Sequence, residues 1–241
     1  MPWQNELYSR YYNRERGWVD GTTEFHELVT RYSSRTKGPA SILEVGAGPT
    51  NPTSQFLSTL GTLTGIDPDP DVMTNRWLAH ACTMHGEAFP LNSDTFDICI
   101  SDYVAEHLPE PLAHLREVHR VLKKGGCYIF RTPNLAHYVA LISAATPHWF
   151  HKRVANRARG LPSGAHDPYP VHYRINSSHR VRSLANQVGF VVESIRLVEK
   201  EPSYGRFAKV AFYAGLAYER LVNHFDQLAP LRANLQVVLR K

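Results

Sequence analysis

Three groups of residues in this 241-residue chain have types and spacings that suit chemistry. The first is Glu44-Val-Gly46-Ala-Gly48, with Asp67 following 19 residues after Gly48. Glycines where a strand turns into a helix let the backbone approach a ligand, and the helix start offers free N–H groups. A carboxylate at the end of the next strand accepts both hydroxyls of a ribose. The second group is Ser101, Asp102, Tyr103 and His107, with Arg131 and Asn134. It falls at the carboxyl ends of two expected strands, where open α/β sheets hold their ligands. Histidine is the side-chain type suited to proton transfer near neutrality, so His107 is the natural base in this group. The third is His172-Tyr173-Arg174, after a loop rich in Pro, Gly and His that includes His166-Asp167. Each group also has a plain structural alternative: a tight turn, a packed helix histidine, scattered surface histidines.

Two nucleoside ligands use a glycine loop followed by an acid. The dinucleotide fingerprint places a third glycine three residues after the second. Here that position is Asn51, and Pro49 and Pro52 crowd the helix start. No Tyr-x-x-x-Lys pair of the short-chain reductase kind occurs. An acid directly before the first glycine instead suits a ligand with a cationic amino-acid tail, such as a sulfonium nucleoside. These features favour S-adenosylmethionine over NAD.

The elements that position these groups are legible as an alternation. After an arm with one helix over Thr22 to Arg35, the run Ser41 to Val45 reads as a strand and residues 52–60 as a helix. Thr62 to Ile66 reads as a second strand, Asp71 to Ala81 as a helix, and Cys82 to His85 as a short strand. Phe96 to Ser101 is a buried strand, Pro109 to Leu122 a helix, Lys123 to Gly126 a turn and Cys127 to Arg131 a strand. Such a rhythm implies a parallel sheet with helices on both faces. It breaks at Pro133 and resumes with a helix over Ser177 to Val188, closed by Gly189, and a strand over Phe190 to Val198. A long helix from Tyr204 to Phe225 precedes a last strand, Asn234 to Arg240. Its Phe207, Val210, Ala211, Ala214, Ala217, Tyr218 and Leu221 form an apolar stripe. That stripe is expected to pack on the sheet or cap. The alternative is that part of it stays exposed beside Arg153, Arg157 and Arg159 as an interfacial surface.

With 43% hydrophobic and 20% charged residues, the chain is neither disordered nor fibrous. The whole chain reads as one domain: an arm over 1–38, a nucleoside-binding core over 39–134, a cap insertion over 135–176 and a sheet-completing part over 177–241. Cys82, Cys99 and Cys127 are widely spaced, with no C-x-x-C pair, which argues against a disulfide framework and a cysteine zinc site. The N-terminus lacks a secretory signal pattern and no run suits a membrane span, so a cytoplasmic protein is expected. Of the net charge of +5, the window 147–182 holds seven Lys/Arg against one acid, Asp167. That local field suits an anionic small molecule or an anionic membrane surface, or is simply a solvated face. No nucleic-acid motif accompanies it.

Taken together, the motifs resemble those of class I S-adenosylmethionine-dependent methyltransferases, of the type 11 or type 12/23 subgroup. Ile42 to Gly48 matches the first motif and Leu63-Thr-Gly-Ile-Asp67-Pro68 the second. Gly86 to Leu91 with Phe96 to Ser101 resembles the adenine loop and fourth strand, and Tyr103 to Leu108 the short helix that follows. Leu115 to Thr132, with Arg120 to Gly126, matches the segment around the fifth strand, and Thr132-Pro-Asn134 its end. The resemblance implies a Rossmann-like three-layer sandwich with a mostly parallel seven-stranded sheet, its last strand antiparallel, and a helical cap insertion. It further implies that Glu44, Gly46, Ala47 and Gly48 hold the methionine part of S-adenosylmethionine, that Asp67 and Pro68 flank the ribose, and that Glu87 and Ala88 flank the adenine. His85 stands where the family often has an Asp for the adenine amino group, and Ser101 closes the cofactor side.

Methyl transfer from a sulfonium needs alignment, exclusion of water and, for a hydroxyl acceptor, removal of a proton. His107, Asp102 and Tyr103 are the expected catalytic group. Arg131, Asn134, His172, Tyr173 and Arg174 are expected to meet the acceptor, a small or lipid- or glycan-linked molecule methylated at oxygen. Ubiquinone-pathway relatives hold a metal at this segment with Glu, Glu and His; Tyr103 replaces the first Glu, so no metal is expected. A non-catalytic adenosyl-binding subunit and a nicotinamide oxidoreductase are the alternatives.

Overall fold

The computed structural model of the chain describes residues 2–145, 170–202 and 208–241. The chain divides into two compact units: Phe25–Pro133, Val171–Arg196 and Leu235–Lys241 form the larger, and Met1–Glu24, Asn134–Pro170 and Leu197–Asn234 the smaller.

In the larger unit, β1 (Ala40–Val45), β2 (Gly61–Asp67), β3 (His80–Thr83), β4 (Phe96–Asp102) and β5 (Leu122–Pro133) are joined by β6 (Val191–Val198) and β7 (Asn234–Arg240). The seven strands follow the order β3-β2-β1-β4-β5-β7-β6. β1 is parallel to β2 and β4, β2 to β3, and β4 to β5. Lys241, just past β7, donates to Gly126 and accepts from Gly125 near the start of β5, so β7 runs antiparallel to β5. This is the mostly parallel Rossmann-like sheet, last strand antiparallel, that the motifs imply.

Crossovers between parallel strands need helices, and the sequence supplies them with caps. In α3 (Pro52–Ser58), the Asn51 side chain accepts from the Ser54 amide and Pro52 opens the first turn, where its missing N–H costs nothing. In α6 (Ser178–Val188), Ser177 caps the start and Gly189, at φ 96°, closes the end. Phe25, Leu28, Val29 and Tyr32 of α2 (Gly21–Ser33) and Leu57 of α3 share one core with Ile42, Leu63, Ile98, Ile100 and Ile129 of the strands. The helix α4 (Pro111–Val121) buries Leu115, Val118 and Val121.

Three expectations are corrected. The helix over Asp71 to Ala81 is instead a 3-10 turn, Pro70–Thr74, running into β3 at His80. The cause is Asn75, whose buried amide donates to Ala47 O, Gly48 O and Pro49 O (3.4, 3.2 and 3.3 Å) and to Ser54 Oγ at 2.9 Å. A side chain committed to a neighbouring loop competes with helix continuation at that point. The turn at Lys123 to Gly126 lies within β5, with Gly125 at φ 83°. The arm carries a second helix, α1 (Pro2–Tyr11).

The smaller unit contains α1, α5 (Tyr138–Ala145) and α7 (Lys209–His224). Leu7, Tyr12 and Phe212 are buried there, with Trp3, Tyr8, Tyr11, Trp18 and Leu216 packed around them. Tyr12 Oη donates to Glu219 Oε2 (3.3 Å), and Asn223 Nδ2 to Glu219 Oε1 (2.9 Å). The helix expected from Tyr204 therefore begins at Lys209, and its buried side is Phe212, Glu219 and Val222. Part of the stripe expected to pack inward faces out: Val210 is 82% exposed, Leu221 49%, and Ala214 and Ala217 are exposed too, while Ala211 and Tyr218 are half-buried. Aromatic bulk at one position, Phe212, outweighs a stripe made largely of alanine, because buried area scales with side-chain size. Phe207 and most of the cap insertion, with Arg153, Arg157, Arg159 and His166-Asp167, lie outside the described residues.

Candidate functional site

The site is built in the larger unit where β1 and β4 end. Behind β1 the chain turns through Gly46 and Gly48, at φ 73° and 53°. A Cβ on Gly46 would stand 2.3 Å from Val104 Cγ2, so only glycine fits against that corner. The amides of Gly46 and Ala47 donate to Ile66 O, and the Gly48 amide to Asp67 Oδ2 at 2.9 Å. The other Asp67 oxygen accepts from Asp69 N at 2.8 Å. Asp67 is buried, and burial raises its pKa despite both bonds. Each carboxylate oxygen has a second lone pair, so Asp67 keeps capacity for a vicinal diol. Pro68 follows, exposed.

Under the loop, Glu44 is buried and accepts from Ser54 Oγ at 2.7 Å. Burial, with Asp102 and Asp67 nearby, pushes its pKa up to about 8 despite that bond. A carboxyl held uncharged by desolvation and like charges ionises when a cation arrives. Ser54 and Asn75 were not singled out from sequence, since polar side chains that clamp a loop carry no periodic signal.

The expected adenine loop follows β3. His85 and Ala88 are exposed, Glu87 is half-buried, and Gly86 sits at φ 67°. α4 pins this loop: Phe89 N donates to Glu117 Oε2 at 2.8 Å, while Arg120 reaches Phe89 O (3.1 Å) and Leu91 O (2.8 Å). Glu117 and Arg120 also pair with each other at 2.7 Å.

At the end of β4, Ser101 is fully buried with its Oγ 2.7 Å from Tyr128 Oη, which lies 3.1 Å from His114 Nε2. Its hydroxyl therefore belongs to a polar chain inside the sheet. Asp102 and Arg131, opposite each other in the β4–β5 register, form a two-pronged ion pair at 2.7 Å on both prongs. The guanidinium lies between the rings of Phe25 (5.0 Å) and Tyr103 (4.6 Å). Tyr103 adopts φ 56°, a left-handed conformation costly for a bulky residue, and is 40% exposed.

The next turn, Ala105–His107, carries His107, one-third exposed and with Nε2 4.0 Å from Glu106 Oε1. Glu106 is buried, and burial raises its pKa. Its carboxylate accepts from Thr132 Oγ1 (2.9 Å), which accepts from Asn176 Nδ2 (2.7 Å). The Glu106 carbonyl accepts the amides of His172 (2.7 Å) and Tyr173 (3.1 Å). Arg174 reaches Pro109 O and Glu110, the latter at 3.0 Å. The structure thus brings His172, Tyr173 and Arg174 against the turn that bears His107, and Glu106 is the hub. Asn134 is described with the smaller unit, where its Nδ2 donates to Pro230 O and Arg232 O, both at 2.7 Å. Among the described residues, no three His, Cys, Asp or Glu are grouped to hold a metal ion.

The seven-stranded, mostly parallel sheet with its last strand antiparallel is an α/β Rossmann-like methyltransferase fold. Residues 43–130 match the family model described as "Methyltransferase domain". An uncharacterized methyltransferase of Mycobacterium ulcerans (strain Agy99) is 38% identical over 114 residues, covering 45% of each chain. One from Mycobacterium marinum is 37% identical over the same length and coverage. The match thus spans less than half the length of these curated relatives. Among solved structures, an S-adenosylmethionine-dependent methyltransferase from Mesorhizobium loti has TM-score 0.55 at 15% identity, covering 90% of this chain and 98% of that one. A SAM-dependent methyltransferase from Methanosarcina mazei has TM-score 0.56 at 14% identity, covering 89% and 96%. At such identities these structures show the fold.

Proposed function

We propose that this chain is an S-adenosylmethionine-dependent methyltransferase acting on a hydroxyl of a small or lipid- or glycan-linked acceptor. The observation that carries the reading is the pairing of a diol-capable Asp67, locked to Gly48, with a buried Glu44 suited to a cation. When bound, the sulfonium nucleoside supplies a methyl group already activated for displacement. Glu44 through Gly48 would hold its amino-acid tail, Asp67 and Pro68 its ribose, and His85, Glu87 and Ala88 its base, with Ser101 in support. The chain's other task is to orient the acceptor and take its proton. His107 is the base, reached from the exposed side of its turn. The Asp102–Arg131 pair fixes the strand end that presents Tyr103, while His172, Tyr173 and Arg174 form the acceptor side. Asn134 stays an acceptor-side proposal, with its Nδ2 engaged on backbone carbonyls.

The three cysteines are free thiols, which supports a reducing, cytoplasmic compartment. No helix among the described residues is long and apolar enough to cross a membrane.

Calorimetry with S-adenosylmethionine, S-adenosylhomocysteine and NAD tests the reading. Binding of the two adenosyl ligands, with transfer of labelled methyl to a cell extract, is expected. Binding of NAD alone overturns it in favour of an oxidoreductase. Adenosyl binding without transfer to any acceptor overturns it in favour of a non-catalytic subunit.

A further inference from the structure

Among the described residues, seven of the eleven exposed large hydrophobics, Val210, Tyr213, Leu221 and Phe225 among them, belong to the smaller unit. On α7 they are ordered. At about 100° per residue, Val210, Ala214, Ala217 and Leu221 share one side, which Phe225 continues where the helix ends. That side lies opposite buried Phe212, Glu219 and Val222. Lys209, Tyr213, Arg220 and His224 line one flank of it, all exposed. The helix has a single acid, Glu219, which is buried, accepts from Tyr12 and Asn223 and pairs at 3.4 Å with Nε of the exposed Arg220. The outward side of α7 therefore presents apolar residues and basic charge, with no acid of its own.

We propose that this side of α7 docks on an anionic lipid surface. A stripe of apolar side chains flanked by Lys and Arg is the pattern that lies in the headgroup boundary of a bilayer, apolar face down and cations toward the lipid phosphates. The charge decides between occupants. A second copy of α7 would set Lys209 and Arg220 against like charges, whereas anionic headgroups complement them. The chain as a whole is of the same sign, +5. The proposal does not rest on methyl transfer, since vesicle binding is read with neither donor nor acceptor present.

The test is flotation of the full chain with phosphatidylglycerol-containing vesicles and with pure phosphatidylcholine vesicles, at low and high salt. Binding to the anionic vesicles only, weakened by salt, is expected. Arg220→Glu should lower partition several-fold, since one cation near an anionic surface is worth roughly fivefold and reversal counts more. The double change Val210→Asp with Leu221→Asp should lower it at least tenfold. Both residues are exposed, so an unaltered Tm serves as the control for folding. Absence of flotation at low salt overturns the proposal. So does flotation unaffected by the double change, which would move the contact elsewhere on the chain. A wild-type dimer in light scattering that the same change dissociates also overturns it, making the face a contact between copies.

Discussion

Gly48 donates its amide to Asp67, 19 residues further along the chain, at 2.9 Å. The residue expected to receive the ribose is thus also the one that closes the loop expected to receive the methionine. Asp67→Ala removes both functions. S-adenosylhomocysteine affinity should fall by about 10- to 100-fold, since hydrogen bonds to a charged group contribute about 1.5–3 kcal/mol. Asp67→Asn, which keeps an oxygen for the Gly48 amide, should lose less. Titration calorimetry of the two variants separates loop closure from ligand contact.

Glu44 couples the same loop to pH. Its pKa rises from 4.5 in the open chain to about 8 when folded. The native state therefore holds its proton more tightly than the unfolded state. The associated stability is complete below about pH 4.5 and is lost as pH climbs through 8. Glu44→Gln removes that titration, so the variant's stability should fall less than wild type's between pH 5 and 8 in denaturant titrations. A cationic donor tail would ionise Glu44, so wild type should release a proton on binding near pH 7. Calorimetry in buffers of different ionisation enthalpy reads that release, and Glu44→Gln should abolish it.

His107→Ala should lower kcat by about 10²- to 10⁴-fold with donor affinity intact if the imidazole takes the acceptor proton. Steady-state kinetics alongside S-adenosylhomocysteine binding checks this. A loss below tenfold, or one that tracks a fall in Tm, would show that the side chain only packs.

How much of this was legible follows from the range of the interactions. Glu44 to Gly48, Asp67 and the strands β1, β2, β4 and β7 are local patterns: apolar runs bounded by glycines, with an acid at a fixed offset. Gly189 closed its helix as read, because a positive φ of 96° at a helix end selects glycine. The Asp102–Arg131 pair was read as two separate roles, and only the β4–β5 register brings them together. Glu106 was legible only as the acid that, with His107, matches part of the ubiquinone-pathway pattern; its partners Thr132 and Asn176 come from elsewhere in the chain. On α7 the periodicity identified a shared face but not its direction. Direction depended on which partners awaited, and Phe212 found Leu7 and Tyr12.

Asn75 marks the sharpest departure from local reading, and it yields the last prediction. The stretch Asp71 to Ala81 has helical composition, yet the chain leaves the helical path at Asn75, whose amide spans Ala47, Gly48, Pro49 and Ser54. Asn75→Ala would strip the hydroxyl of Ser54 of this donor. Ser54 itself supports Glu44 at 2.7 Å, so the effect should pass to the acid under the loop. Removing a buried donor from several acceptors costs about 1–3 kcal/mol. The variant should therefore melt lower and bind S-adenosylhomocysteine at least several-fold more weakly. Asn75→Asp, of the same size but without the donor, should do no better, because it sets a carboxylate against carbonyl oxygens. Equal affinity in wild type and both variants, measured well below their melting temperatures, would mean that the loop holds its shape without the clamp.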